Sequence, residues 1–284
     1  MNQKLVFAQS SGSISTISLD IDNIEEQKQE EVAKVKKRSD GKKLTTMLHR
    51  IKSQFLCLGQ FLPQIFDIEN SKCTWRGKNV PNDQDDLEVP TYDTSGQFLP
   101  KSDRTFVISN GFGKIRLYDI WVKARPVIDY QSCDYYLSKI KATECGNYVI
   151  YASQKGELTK ADIRMDFKTV HWFKGSKGTI KDIAVASDFV ACVGLDRFLR
   201  IYDHETKESM ANIYLKQKQN SILIDKSTAQ EYTTSVYEKR QEIKEKEDDM
   251  HEYYWENFNW KQKKRNRNKD DDLIEKSKMF KSKE

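Results

Sequence analysis

Residues 194–203 read GLDRFLRIYD, and residues 110–119 have already read NGFGKIRLYD. Both run from a turn through alternating apolar residues to an Asp, and a cadence that returns at a steady distance marks a structural unit used more than once. The same ending closes LGQFLPQIFDI at Asp67 and QKGELTKADI at Asp162, and more loosely SGSISTISLDI at Asp20. From Asp20 through Asp67, Asp119 and Asp162 to Asp203, the intervals are 47, 52, 43 and 41 residues.

Each interval fills with strands. Between Asp162 and Asp203 four short alternating runs lie at 168–173, 179–185, 189–194 and 198–202, with turn residues at 175–178, 187–188 and 195–197. The preceding unit repeats them at 136–142, 147–152, 157–161 and 168–173. Short β-branched and aromatic runs with such punctuation are strands, not helices. A unit of roughly 40–45 residues with four strands is the signature of a propeller blade, a small sheet that buries its faces only by leaning on copies of itself. A non-repeating all-β sandwich would leave the recurring Asp without a reason. That Asp follows the third strand, where its carboxylate can accept backbone N–H groups in the tight turn to the fourth, and Asp196 in the preceding turn has a similar local use.

The predicted fold is therefore all-β: a β-propeller, with about five blades visible, over residues 1–224. A charged insertion interrupts it at 24–43, expected as a solvated loop or frayed helix, or else as an interaction arm. A charged tail, disordered or helical, is expected over 225–284. Within it the stretch Lys226–Glu284 holds 15 basic and 14 acidic side chains, which helps raise the charged fraction of the whole chain to 32%. The net charge of +5 is too mild to identify a partner. Five scattered cysteines without a CxxC point to reduced thiols in an intracellular compartment. The opening MNQKLVFAQSSGSIS lacks the apolar stretch of a signal peptide, and no later segment has the length of a membrane span, so no membrane contact is expected.

Chemistry is sparse. His49, His171, His204 and His251 have no Cys, Asp or second His at ligand spacing, so no metal is expected. GFGK at 111–114 lacks the spacing, the Ser/Thr and the helix of a phosphate loop; it reads as a hairpin turn in which Gly supplies positive φ. No GxSxG, HExxH or kinase set is present. The expectation is a binding platform with no catalytic residue, no cofactor and no small-molecule substrate.

The aromatic-or-apolar residue before each Asp (Phe66, Tyr118, Ala161, Tyr202) resembles the ending of WD repeats, with Trp replaced. More specifically, GKNVPNDQDDLEVPTYDTSGQFLP at 77–100 and GLDRFLRIYDHETKESMANIYLKQKQNSILI at 194–224 resemble the WD repeat-containing protein 74 family, with likeness from about residue 50 to 224. The resemblance implies a non-catalytic nucleolar assembly factor of the large (60S) ribosomal subunit precursor, acting in rRNA processing. It implies as partners pre-60S ribosomal proteins and assembly factors, an AAA-type ATPase that strips the factor from the particle, and ribosomal RNA. It implies localisation in the nucleolus and nucleus. It also implies seven blades, so that either about two, roughly 80–90 residues, are expected before Met1, or an early region has diverged or been lost. On that view NSILI at 220–224 is an extra strand completing a blade begun at the other end. The alternative is a generic WD-repeat adaptor outside ribosome assembly; a propeller hydrolase would need a metal or carboxylate cluster that the sequence does not supply.

Four sets of residues are candidates for binding. The long polar loop at 78–93, stiffened by Pro81 and Pro90, carries Asn79, Asn82, Asp83, Asp86 and Tyr92 from the family motif, either for partner contact or for packing across the rim. Arg197 and Arg200 are candidates for RNA phosphate or an acidic partner, or are simply solvated. In YYWENFNW at 253–260, Tyr254 and Phe258 share one helical face with Trp255 adjacent; this cluster is read as a docking motif, with packing on the propeller and base stacking as alternatives. In KQKKRNRNK at 261–269, Lys261, Lys263, Lys264, Arg265, Arg267 and Lys269 are read as nuclear targeting or RNA contact.

Overall fold

The computed structural model describes residues 3–11, 13–19, 30–34, 43–50, 53–186 and 188–225. All described strands lie in one compact unit, Met1–Ile224, and they form five sheets in chain order. The first is three-stranded: β1 (Gln3–Ala8), β2 (Ser13–Leu19) and β3 (Glu30–Lys34). Four four-stranded antiparallel meanders follow. The second sheet is β4 (Leu44–His49), β5 (Gln54–Gly59), β6 (Gln64–Asp67) and β7 (Lys72–Arg76). The third is β8 (Asp93–Phe98), β9 (Thr105–Asn110), β10 (Lys114–Asp119) and β11 (Ile128–Gln131). The fourth is β12 (Leu137–Ala142), β13 (Tyr148–Ser153), β14 (Leu158–Asp162) and β15 (Lys168–Phe173). The fifth is β16 (Ile180–Val185), β17 (Phe189–Gly194), β18 (Phe198–Asp203) and β19 (Ser209–Tyr214).

The core is a row of seams. Strand side chains alternate between two faces, and in the middle strands both faces are apolar, so the second, third and fourth sheets each pack on two neighbours. Cys57 points at the first sheet and shares a cluster with Ile14, while Leu56 and Leu58 point the other way and pack with Phe106, Ile108 and Tyr118 of the third sheet. Val107 and Ile115 face Ile140, Val149 and Phe167 of the fourth sheet. Ile150, Leu158 and Phe173 face Ile183, Val190 and Tyr202 of the fifth. The first strands of successive sheets, β4, β8, β12 and β16, pack side by side. Polar ties join them: Thr45 Oγ1 donates to the Asp93 carbonyl at 2.6 Å, and the Ala142 N–H donates to Gln97 Oε1 at 2.9 Å. The last strand of each four-stranded sheet is its outer edge and is largely solvated.

The recurring Asp performs the same act four times. Asp67, Asp119, Asp162 and Asp203 accept the N–H of Glu69 (3.1 Å), Trp121 (3.0 Å), Arg164 (2.9 Å) and Glu205 (2.8 Å), always two residues on. This closes the turn from third to fourth strand by occupying a donor that the ladder leaves over. Asp20 lies outside the described residues. Asp196 behaves as the sequence suggested, accepting the Phe198 N–H at 3.4 Å. In the GFGK turn Gly113 sits at φ +78°, and a Cβ there would fall 1.8 Å from the Cys133 carbonyl oxygen, so the hairpin reading of that stretch holds.

Three local expectations change. Residues 168–173 close the fourth sheet and do not open the fifth, whose fourth strand is β19, a half-polar segment that alternation alone does not reveal. Within the 24–43 insertion, Glu30–Lys34 form a strand paired with β2, because an open ladder edge satisfies backbone groups whatever side chains they carry. NSILI at 220–224 is not a strand. Its Ser221 hydroxyl and Ile222 N–H instead donate to Asp182 Oδ2 at 2.9 and 3.1 Å, and Leu223 is 96% exposed.

Candidate partner-binding surfaces

The loop between β7 and β8 bonds its polar side chains to its own backbone and to one another. Asn79 Nδ2 donates to the Val89 carbonyl at 2.6 Å, Asn82 Nδ2 to Asp86 Oδ1 at 2.8 Å, and the Asp85 N–H to Asp83 Oδ1 at 2.8 Å. Asp86 takes a left-handed conformation at φ 58°, and the Lys78 N–H ties the loop to the Ala124 carbonyl at 2.8 Å. Tyr92 packs edge-on to Tyr136, with ring centroids 5.8 Å apart. Four of the five candidates therefore shape the loop, and what they present outward is an exposed tip, 81–88, bearing Leu87 and a run of acids.

The two arginines separate. Arg197 is exposed, on a left-handed turn at φ 67°. Arg200, expected near the surface, is buried: it pairs with Asp196 and its guanidinium stands 5.0 Å from the Phe198 ring centroid. Arg197 lies in the turn and Arg200 three residues on in β18, and only the structure shows which of the two points in.

A surface absent from the sequence reading is an open groove of about 760 Å³ along the outer edge of the fourth sheet. Tyr135 and the exposed Trp172 line it with Lys155, Glu157 and Lys174, and Lys155 Nζ lies 3.5 Å from the Tyr135 ring centroid. The signal was present in KTVHWF: once Phe173 is taken as inward, alternation sends Trp172 and Val170 outward. Exposed aromatic side chains beside cations are the composition of recognition surfaces.

The interior holds a charge network in the third sheet. Arg116, 1% exposed, donates through Nε to Asp129 Oδ1 at 2.9 Å, and Lys114 reaches Asp129 Oδ2 at 3.5 Å. Asp93 is buried beside it, and Asp93 Oδ1 has no hydrogen-bond partner among the described residues. Burial pushes its carboxyl up to about 7, against the pull of Arg116. The Cys57 and Cys192 thiols are pushed up to about 12, first of all by burial. All five cysteines are free.

Among the described residues no group of three or more His, Cys, Asp or Glu is placed to hold a metal, and no helix is long and apolar enough to cross a membrane. Tyr254, Trp255, Phe258, Lys261, Lys263, Lys264, Arg265, Arg267 and Lys269 lie outside the described residues.

Consecutive four-stranded meanders joined through their first strands, each closed by an Asp turn, make this a WD-repeat β-propeller protein. The chain is a homologue of WD repeat-containing protein 74 and of the NSA1 proteins over these repeats. It is 32% identical to WD repeat-containing protein 74 of Bos taurus over 166 residues, covering 57% of this chain and 43% of the relative. It is 28% identical over 220 residues to the Ribosome biogenesis protein NSA1 of Yarrowia lipolytica, covering 68% of this chain and 51% of the relative. The chain thus spans about half the length of the curated relatives it matches. No protein-family model matches it. Among solved structures its backbone is similar to the computationally designed Ika8 protein, with a TM-score of 0.60 at 11% identity, covering 79% of this chain and 63% of that one.

Proposed function

We propose that this protein is a non-catalytic scaffold in assembly of the large ribosomal subunit precursor, working in the nucleolus. The observation that carries the reading is the sequence likeness of its repeats to relatives named as ribosome biogenesis proteins. The geometry fits a platform. Rigid seams hold several separate surfaces: the acidic tip at 81–88 with Leu87, the exposed Arg197, and the groove of Tyr135 and Trp172. A rigid scaffold that presents loops loses little entropy when they are engaged. The aromatic motif at 253–260 and the basic motif at 261–269 add a tethered contact, raising effective concentration at a second site. Precursor ribosomal proteins, assembly factors and ribosomal RNA are the proposed partners, with release driven by an AAA-type ATPase.

The test is sedimentation of a tagged full chain through a gradient, with and without ribonuclease. Co-migration with large-subunit precursors, lost on RNA digestion, supports the reading. A free pool, or partners indifferent to ribonuclease, would favour a WD-repeat adaptor outside ribosome assembly.

A further inference from the structure

Lys160 on β14 is only 7% exposed, yet no carboxylate lies within ion-pair distance of it among the described residues. Its ammonium donates to His204 Nε2 at 3.1 Å, contacts the His204 carbonyl at 3.4 Å and stands 4.7 Å from the Tyr148 ring centroid. Because Nε2 is the acceptor, the proton of His204 sits on Nδ1, and that buried nitrogen has no partner among the described residues. His171 on β15 is the direct cross-strand neighbour of Lys160, which places the two side chains on one face, within about 5.5 Å at Cβ. Lys207, in the turn after β18, is close enough to act on both.

A buried ammonium normally has a carboxylate partner, since neutral partners do not offset lost hydration. Here its direct hydrogen-bond partners are the neutral His204 ring and carbonyl, and lysines crowd the group, Lys207 acting on Lys160 and His171 and Lys160 itself on the two histidines. Burial and this crowding together hold Lys160, His171 and His204 below their ordinary values. The other ionisable groups in range are Lys174 on His171, Asp203 and Asp188 on His204, and Glu205 and Cys145 on Lys160. Asp203 is committed to the turn, accepting from the N–H groups of Glu205 and Thr206.

We propose that the cluster of Lys160, His171, His204 and Lys207, where the fourth and fifth sheets meet, binds a single tetrahedral oxyanion of the phosphate class. Nitrogen donors drawn from β14, β15 and the turn after β18 suit a phosphate, which carries about −1.5 to −2 charge at neutral pH and several acceptor oxygens. A flat carboxylate would call for an Arg fork, and Arg164 nearby is already paired with Asp162 at 2.7 Å. The site does not depend on a role in ribosome assembly.

The test follows the imidazole resonances of His171 and His204 in the full chain. Inorganic phosphate is titrated at constant ionic strength set with chloride. A saturable shift is expected, with both histidines titrating about one unit higher in phosphate. Lys207→Gln, at a half-exposed position, is expected to abolish saturation without unfolding the chain, and Lys160→Gln to do the same if it folds. A short mixed-sequence single-stranded RNA in a second arm distinguishes the source: displacement of phosphate at the same resonances assigns a phosphodiester, and failure to displace it assigns free phosphate. No saturable shift, or an equal shift in Lys207→Gln, overturns the proposal.

Discussion

Asp93→Asn removes a buried carboxyl while keeping its shape, and the structure sets what that does. In the folded chain the carboxyl titrates at about 7 because burial disfavours its charged form more than Arg116 favours it; in the unfolded chain it titrates near about 3.9. The folded state therefore holds the proton more tightly. Its stability is unaffected below the unfolded value, falls as pH rises between the two, and levels off above about 7. About three units at ~1.36 kcal/mol each give a full penalty of about 4 kcal/mol, of which about 2 kcal/mol develops between about pH 5.5 and about pH 8. Asn resembles the protonated acid and carries no such penalty. Urea denaturation across that range is expected to show the variant gaining about 2 kcal/mol on the parent as pH rises. Parallel pH curves, or a variant less stable than the parent at the upper end, would show that Asp93 is solvated or fully paired and that the buried-charge account of the third sheet is wrong.

The Asp turns yield a graded series. Asp203→Ala strands two N–H groups at a fully buried site and is expected to cost about 1–3 kcal/mol in urea denaturation; Asp119→Ala, at a more open site, should cost clearly less, and an inverted order would refute the turn-closing role. Gly113→Ala forces a Cβ against the Cys133 carbonyl at positive φ, so its thermal midpoint should fall well below that of Gly146→Ala, where the same backbone strain meets only a Lys101 side chain at 3.7 Å. In thiol labelling at about pH 8, exposed Cys73 is expected to react in the native chain, and Cys57 and Cys192 only after unfolding; prompt native labelling of either buried thiol would contradict the packing of the seams.

Much of the candidate surface was legible only as a location. The loop at 78–93 was recognisable as long and polar, but a sequence cannot show that Asn79, Asn82, Asp83 and Asp86 are engaged in hydrogen bonds within the loop itself, since the same side chains can serve a partner or a turn. Arg197 and Arg200 looked alike because exposure is settled by a left-handed residue at 197 that reverses the chain before β18. Lys160 and His204 are 44 residues apart, and only packing of neighbouring sheets brings them together.

The sequence by itself determined the repeated unit. Alternation with period two fixes strands, and Asp at the end of each third strand fixes the turn, because both are local properties of a few adjacent residues. Tertiary structure decided where one sheet stops and the next begins, which made 168–173 an outer edge and left 220–224 held by Asp182 instead of by a strand. It also decided which charges are buried, at Asp93, Arg116, Lys160 and Arg200. Those outcomes depend on what a neighbouring sheet brings across a seam, and no local pattern in the chain carries that information.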